Sequence, residues 1–254
     1  MYKISILPEE IEKMPLGSFP GKIQVIDKNG IDFVRAIAYL GTQKIIGFDT
    51  ETRPVFSPGQ RHNHVALLQL SGAEKAFLFR VGSMGMRKLL CAILSNPRIL
   101  KVGAAVHDDV RGLQYYRQFE ERGFVDLQKI AYEWGIRDKS VKKLAANILG
   151  VRISKSQQLS NWEADELSAA QQMYAATDAW VCREMYLKLL QSEKHPLTPE
   201  ELNPPQPQPA QPPKEAQQAA PQAEEGEAKP KKRRRRHRRK AKKPAEAVAQ
   251  QDNG

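Results

Sequence analysis

Asp49 and Glu51 stand one residue apart in IIGFDTETRP, Ile45 to Pro54, where an apolar run of strand type ends. In a strand, residues i and i+2 share a face, so these two carboxylates project side by side and Thr50 turns away. Like charges that close repel, and each resists ionising unless something positive lies between them. The pair is either solvated at a strand end or holds a cation. Two other stretches offer acids. AAVHDDVRGLQYY, Ala104 to Tyr116, sets Asp108 and Asp109 where a chain leaving a strand opens a helix, the place where open α/β sheets bind ligands. One Asp there serves as an N-cap, which explains two adjacent acids less well. In QQMYAATDAWVCREMY, Gln171 to Tyr186, Tyr174 and Asp178 are i and i+4 and stack on one helix face. The same stripe runs on through Val181 and Met185, in line with residues that face the body. A lone carboxylate in such a stripe is costly unless paired or bound to metal. The alternative is a helix rotated so that Asp178 is exposed.

Positioning these groups falls to a chain that alternates between two periodicities. Strand-like runs are Lys22–Ile26, Lys44–Asp49, Val65–Leu70, Ala76–Phe79 and Ile99–Gly103. Helix-like runs are Ile31–Leu40, Met86–Leu94, Asp109–Phe119, Leu127–Trp134, Val141–Leu149 and Ser168–Leu190. Strands giving way to helices predict an α/β domain with a mixed sheet, and Gln60 to Leu78 reads as an antiparallel meander. From about His195 the character changes. Nine prolines fall between Pro196 and Pro221, among Gln and Ala, a composition that buries too little surface to offset its ordering entropy.

The chain has 254 residues and a formal net charge of +11, concentrated in KPKKRRRRHRRKAKK, Lys229 to Lys243. That run holds 12 Lys or Arg and no acid, and the remainder is close to neutral, with 28 basic residues against 29 acidic. A basic run on a flexible linker is an electrostatic binder of phosphate, largely independent of sequence and weakened by salt. A nuclear localisation signal is its second reading. Cys91 and Cys182 are far apart and fit neither a zinc ligand set nor a disulfide framework. No stretch approaches the ~20 apolar residues of a membrane span, and the N-terminus lacks the pattern of a signal peptide. A soluble intracellular protein, cytoplasmic or else nuclear, with no membrane contact and no zinc, is the expectation.

Taken together, FDTE at Phe48–Glu51, VGAAVHDDVRGL at Val102–Leu113 and YAATD at Tyr174–Asp178 resemble the three motifs of the DEDD superfamily of 3′–5′ exonucleases. The likeness is to the tyrosine-containing branch, closest to ribonuclease D and Werner-type exonuclease domains. Connecting pieces look familial too: VALLQLS, FVDLQKIA and LSNWEADELSAAQQMYAATDA. The resemblance covers roughly residues 22 to 190. It implies a ribonuclease H-like fold, a mixed five-stranded sheet flanked by helices, and a disordered C-terminal tail. Domain bounds follow: 1–21 an N-terminal extension, 22–192 the exonuclease domain, 193–228 a disordered linker and 229–254 a basic disordered tail.

The same resemblance implies two divalent ions, Mg²⁺ or Mn²⁺, on Asp49, Glu51, Asp109 and Asp178, with Tyr174 orienting the attacking water. Counting along the family pattern favours Asp109 over Asp108. The implied activity is metal-dependent hydrolysis from 3′ ends of RNA or DNA, releasing nucleoside 5′-monophosphates. The alternative is a non-catalytic nucleic-acid-binding protein on the same fold. Arg53, Lys155, Asn161 and the basic residues Lys231, Lys232, Arg233, Arg234, Arg235, Arg236, Arg238 and Arg239 are the candidates for binding the nucleic acid. Ser160, Trp162 and Gln69 are weaker leads. His62, His64 and His107 read as polar loop or helix-start residues, and Asp126 as a helix cap.

Overall fold

The structure, a computed structural model, describes residues 1–56, 59 and 63–202. The basic run and most of the proline-rich segment lie outside the described residues, as does His62. The elements in chain order are α1 (Pro8–Glu12), β1 (Lys22–Ile26), α2 (Ile31–Gly41), β2 (Ile45–Thr52), β3 (Val65–Ser71), β4 (Lys75–Phe79), α3 (Val81–Met84), α4 (Lys88–Leu94), β5 (Leu100–Gly103), α5 (Val106–Tyr116), β6 (Phe124–Asp126), α6 (Leu127–Ile130), a 3₁₀ turn (Ala131–Trp134), α7 (Val141–Leu149), α8 (Ala169–Leu190) and α9 (Pro199–Leu202).

The strands form one mixed sheet in the order β1-β4-β3-β2-β5-β6. β2, β3 and β4 are antiparallel neighbours, while β1 joins β4, and β5 and β6 extend from β2, in parallel. Among the described residues the sheet therefore has six strands, not the five read from the sequence. The extra strand, β6, is three residues long, and FVD is too short to show an alternation. The expected meander holds for β3 and β4. The helix expected from Asp109 starts three residues earlier, at Val106. The segment expected as one helix from Leu127 divides into α6 and the 3₁₀ turn.

Alternation along the central strands sorts their side chains into two layers. Ile46, Phe48, Leu68 and Leu70 face α2, α4 and α5, where Phe33, Leu40, Leu90, Leu94 and Leu113 complete one core. On the other face Leu67 and Leu78 meet Trp162 and Ala175, while Val102 meets Val181, Met185 and α7. α8 is fixed at its start by a capping box, with Ser168 Oγ accepting from Gln171 N–H and the Gln171 side chain accepting from Ser168 N–H. Ala175 and Ala179, small and fully buried, let its backbone approach the sheet. The approach is so close that a Cβ on Gly47 would lie 1.8 Å from the Ala179 carbonyl oxygen.

Both ends of the described chain cover this second face. Phe19 N–H donates to Thr177 Oγ1 (3.0 Å), and the Phe19 ring meets Trp180 edge-on. Ile6 and Ile11 are buried against α7 through Ala146. Residues 193–202, read as the start of a linker, return to the domain: Leu197 is buried and its N–H donates to the Tyr132 carbonyl (3.0 Å). An apolar leucine ahead of a short acidic helix gives that stretch something to bury, which the proline-rich residues beyond it lack.

Gly47 is the position where the fold tolerates least. Gly47→Ala should push α8 off β2 and cost about 3 kcal/mol or more, read as a lower melting temperature together with loss of Mn²⁺ binding. A stable variant with unchanged metal binding would show that α8 has room to shift.

Candidate functional site

β2 ends in Asp49, Thr50, Glu51 and Thr52, and its pleat directs Asp49 and Glu51 toward α8 and Thr50 toward α5. Asp49 lies opposite Gln69, and Glu51 opposite Leu67, on β3. Asp178 reaches the same spot from α8, so that carboxylate oxygens of Asp49, Glu51 and Asp178 all lie within 4.8 Å of one another. Asp178 is buried, as a body-facing position on the helix stripe requires.

Asp109 arrives from the opposite face. It lies in the first turn of α5 and accepts a hydrogen bond from Thr50 Oγ1 (2.5 Å), while its neighbour Asp108 is exposed. Neither Asp caps the helix. Ala105 stands at the start of α5 in the left-handed conformation, with φ 58° and ψ 36°, and its N–H donates to Asp126 Oδ1 (3.0 Å). The left-handed region costs a non-glycine residue roughly 1 kcal/mol, and here it turns the chain sharply from β5 into the helix that carries Asp109. Asp126 also caps α6 by accepting from Gln128 N–H (3.0 Å), so one carboxylate ties two segments together.

Crowding and burial govern the charge of this cluster. Burial, reinforced by the Asp178, Glu51 and Asp109 charges, holds the Asp49 carboxyl far above the usual range. Burial and the charges of Asp178 and Asp109 push Glu51 up to about 9. Asp178 rises to about 7 through burial, against the opposing pull of the Tyr174 hydroxyl and the Lys155 charge. Asp109 rises to about 6, again through burial, with the Thr50 hydrogen bond pulling the other way. Without a cation the cluster retains protons near neutral pH, and a divalent ion would displace them. Oxygen-only donors this close together fit Mg²⁺ or Mn²⁺.

The remaining candidates are distributed around this cluster. Tyr174 stands one turn before Asp178, its ring against Trp162 at 5.9 Å between centroids, and burial followed by the Asp178 charge keeps its hydroxyl protonated. Lys155 is exposed and close enough for its charge to act on Asp178. Asn161 is exposed, with its side chain accepting from Glu163 N–H and its carbonyl accepting from the Gln171 side chain. Arg53 pairs with Glu163 (3.2 Å). Trp162 is core, fully buried, and Ser160 Oγ donates to the Gln157 carbonyl. Gln69 is fully buried across from Asp49, with no partner for either amide atom among the described residues. Thr50 was missed as a contributor, although strand alternation already turned it away from the Asp49 face and so toward whichever helix covers the other side.

A family model described as a 3′–5′ exonuclease matches residues 26–192. The bifunctional 3′–5′ exonuclease/ATP-dependent helicase WRN of Mus musculus is 30% identical over 192 residues, covering 70% of this chain and 13% of that protein. Ribonuclease D of Haemophilus influenzae is 30% identical over 125 residues, covering 48% of this chain and 31% of its own length. The chain thus spans less than a third of either curated relative. Among solved structures, Escherichia coli ribonuclease D superposes with a TM-score of 0.59 at 24% identity, covering 67% of this chain and 44% of that one. The Aedes aegypti Nibbler EXO domain gives a TM-score of 0.58 at 22% identity, over 69% of this chain and 91% of that one.

Because the carboxyls of Glu51 and Asp178 titrate higher folded than unfolded, they stabilise the metal-free fold at low pH. That contribution fades from the ordinary carboxylate range upward and is gone above about 7 for Asp178 and about 9 for Glu51. In chelator, the melting temperature should fall from about pH 5 to about pH 9 and level off above that. Added Mn²⁺ should restore it, most at the alkaline end. Glu51→Gln should raise the metal-free melting temperature and shrink the Mn²⁺ shift. Scanning fluorimetry across pH checks this, and a flat metal-free profile with no response to Mn²⁺ would contradict it.

Proposed function

The chain belongs to the 3′–5′ exonuclease family, and from that premise we propose that it hydrolyses phosphodiester bonds from the 3′ end of a nucleic acid, releasing nucleoside 5′-monophosphates. The observation that carries this reading is the convergence of Asp49, Glu51 and Asp178 within 4.8 Å, with Tyr174 beside them. Asp49, Glu51, Asp109 and Asp178 would hold two divalent ions, Mg²⁺ or Mn²⁺. Bound there, such ions supply a nucleophile at neutral pH and neutralise charge on the attacking and leaving oxygens.

The protein's own groups do the positioning. Asp49, on the central strand between Glu51 and the carboxylate from α8, is the residue on which the cluster is built. Thr50 aims Asp109 toward the cluster from the opposite face. Tyr174, kept protonated by burial and by the acids around it, orients a water by hydrogen bonding and does not act as its base. The ionised members of the cluster would repel a phosphate until cations neutralise them, which makes substrate binding at the cluster itself dependent on metal.

The relatives' names include both a helicase-linked exonuclease and a ribonuclease, so the test compares sugars directly. Single-stranded DNA and RNA of matched sequence, labelled at the 5′ end, should give a descending ladder with Mg²⁺ or Mn²⁺ on at least one of the two. Asp49→Ala should abolish it, and Tyr174→Phe should slow it about a hundredfold. Intact substrate with both ions, despite binding, would mean that the fold has been kept for binding alone.

The basic run from Lys229 to Lys243, with Lys231, Lys232 and Arg233 to Arg239 at its centre, is proposed as a phosphate-binding arm that keeps nucleic acid near the domain. Deleting residues 229–254 should weaken binding at low salt and flatten its salt dependence, while the ladder from a saturating substrate persists. Salt-dependent anisotropy of a labelled oligonucleotide measures both effects.

A further inference from the structure

Where β2 leaves the acids, β3 begins with a bulge. Glu51 lies opposite Leu67 and Thr52 opposite Val65, which leaves Ala66 as the extra residue. Bulges of this kind redirect side chains and often border active sites. Ala66 and Gly82 are small and close, since a Cβ on Gly82 would lie 3.2 Å from Ala66 Cα. They help line a cavity of about 640 Å³.

The walls of that cavity are aromatic. His64 and Tyr115 stack with ring centroids 3.7 Å apart and planes 10° from parallel, although His64 is exposed and Tyr115 is 64% exposed. Neither ring belongs to a core cluster, so the stack is held at the surface without a role in packing the interior. Tyr116 stands nearly perpendicular to Tyr115 (81°), anchored by its hydroxyl donating to the Val65 carbonyl (2.8 Å). Trp162 forms the inner wall, and its buried indole Nε1 has no partner. Arg80, also in the lining, donates to the carbonyls of Ala164 and Asp165 and so ties down the loop that carries Trp162.

Two elements connect this cavity with the carboxylate cluster. Tyr116 follows Asp109 by seven residues on α5, which puts it on the same helix face about 10 Å along the axis. Trp162 lies against Tyr174, and Arg53, two residues beyond Glu51, reaches Glu163 on the cavity wall. A paired, outward-facing aromatic platform within a nucleotide or two of the acids suits a flat ring with a polar edge.

We propose that the cavity binds one nucleobase of a single-stranded nucleic acid, upstream of the 3′-terminal nucleotide, stacked on the free face of Tyr115, whose other face is covered by His64. The proposal rests on the exonuclease reading of the acidic cluster, which places the 3′ end there. Stacking on an aromatic face is tolerant of base identity, so the site would select single strands without selecting a sequence. A base within a duplex has its faces covered and would not enter.

The test uses the full chain with calcium, at about 0.3 M salt so that phosphate contacts of the basic run are weakened. Single-stranded oligonucleotides carry one 2-aminopurine, placed in turn at the first six positions from the 3′ end. Fluorescence quenching should peak at one or two adjacent positions upstream of the terminal nucleotide. Tyr115→Ala should abolish the peak and weaken binding about tenfold, and Tyr115→Phe should retain both. Quenching that is uniform along the strand, or a peak indifferent to Tyr115→Ala, would overturn the proposal. Hydrolysis is followed separately with Mg²⁺ and Mn²⁺. A position-specific peak without hydrolysis would refute the exonuclease reading and leave the base site standing. Hydrolysis without the peak would do the reverse.

Discussion

Repulsion among carboxylates is the constraint around which this protein is built. Asp49, Glu51 and Asp178 are brought within 4.8 Å of one another, an arrangement that opposes folding while the acids are ionised and that crowding alone would disperse. The fold must therefore supply rigidity on every side. β2 provides it by lying between β3 and β5 in the sheet, paired with β3 from Gly47 through Glu51 and anchored by β5 over Ile45 to Gly47. α8 supplies the third acid from a helix so close to the sheet that Gly47 has no room for a side chain. What holds the cluster together is packing, and what that packing preserves is a set of oxygen donors spaced for a cation.

The two faces of the sheet contribute differently. On the α8 side, small residues bring backbones together and leave the acids half-buried or buried. On the α5 side, Asp109 is turned toward the strand by the Thr50 hydroxyl, and the helix is aimed by the left-handed turn at Ala105 and the double hydrogen bond to Asp126. Strain at Ala105 and a bulge at Ala66 both fall within a few residues of the site. Such irregularities persist only where the surroundings over-determine them, and a continuous sheet covered by helices on both faces does so. Lys101 shows the same rigidity away from the site. Its ammonium is buried beside Phe124, donates to the carbonyls of Asn96 and Ile99, and is pushed by burial down to about 8.

The segments flanking the family match are part of this scaffold. Pro15 to Phe19 runs beside Arg152 and reaches Thr177, the residue before Asp178, and residues 193–202 cover the 3₁₀ turn. Both bury apolar side chains that the sheet and its helices alone would leave in water, which supports the long helix on which Tyr174 and Asp178 depend.

The sequence by itself determined the family motifs, the candidate acids within them and the order in which they appear. Three short motifs, each set at the end of a strand or on one turn of a helix, are legible because alternation and i, i+4 spacing fix side-chain direction locally. The central strands and long helices were legible for the same reason. Tertiary structure decided the rest. β6 is too short to show a period and exists only because β5 offers it an edge. α5 starts at Val106 instead of Asp109 because the chain turns at Ala105, a conformation that alanine does not advertise. The contact that distinguishes Asp109 from its exposed neighbour Asp108 comes from Thr50, 59 positions away in sequence. Arg53 was free to face a phosphate on paper and is paired with Glu163 in the fold. Local periodicity is written in neighbouring residues, whereas the partner of a side chain depends on which distant surface the packing brings to it.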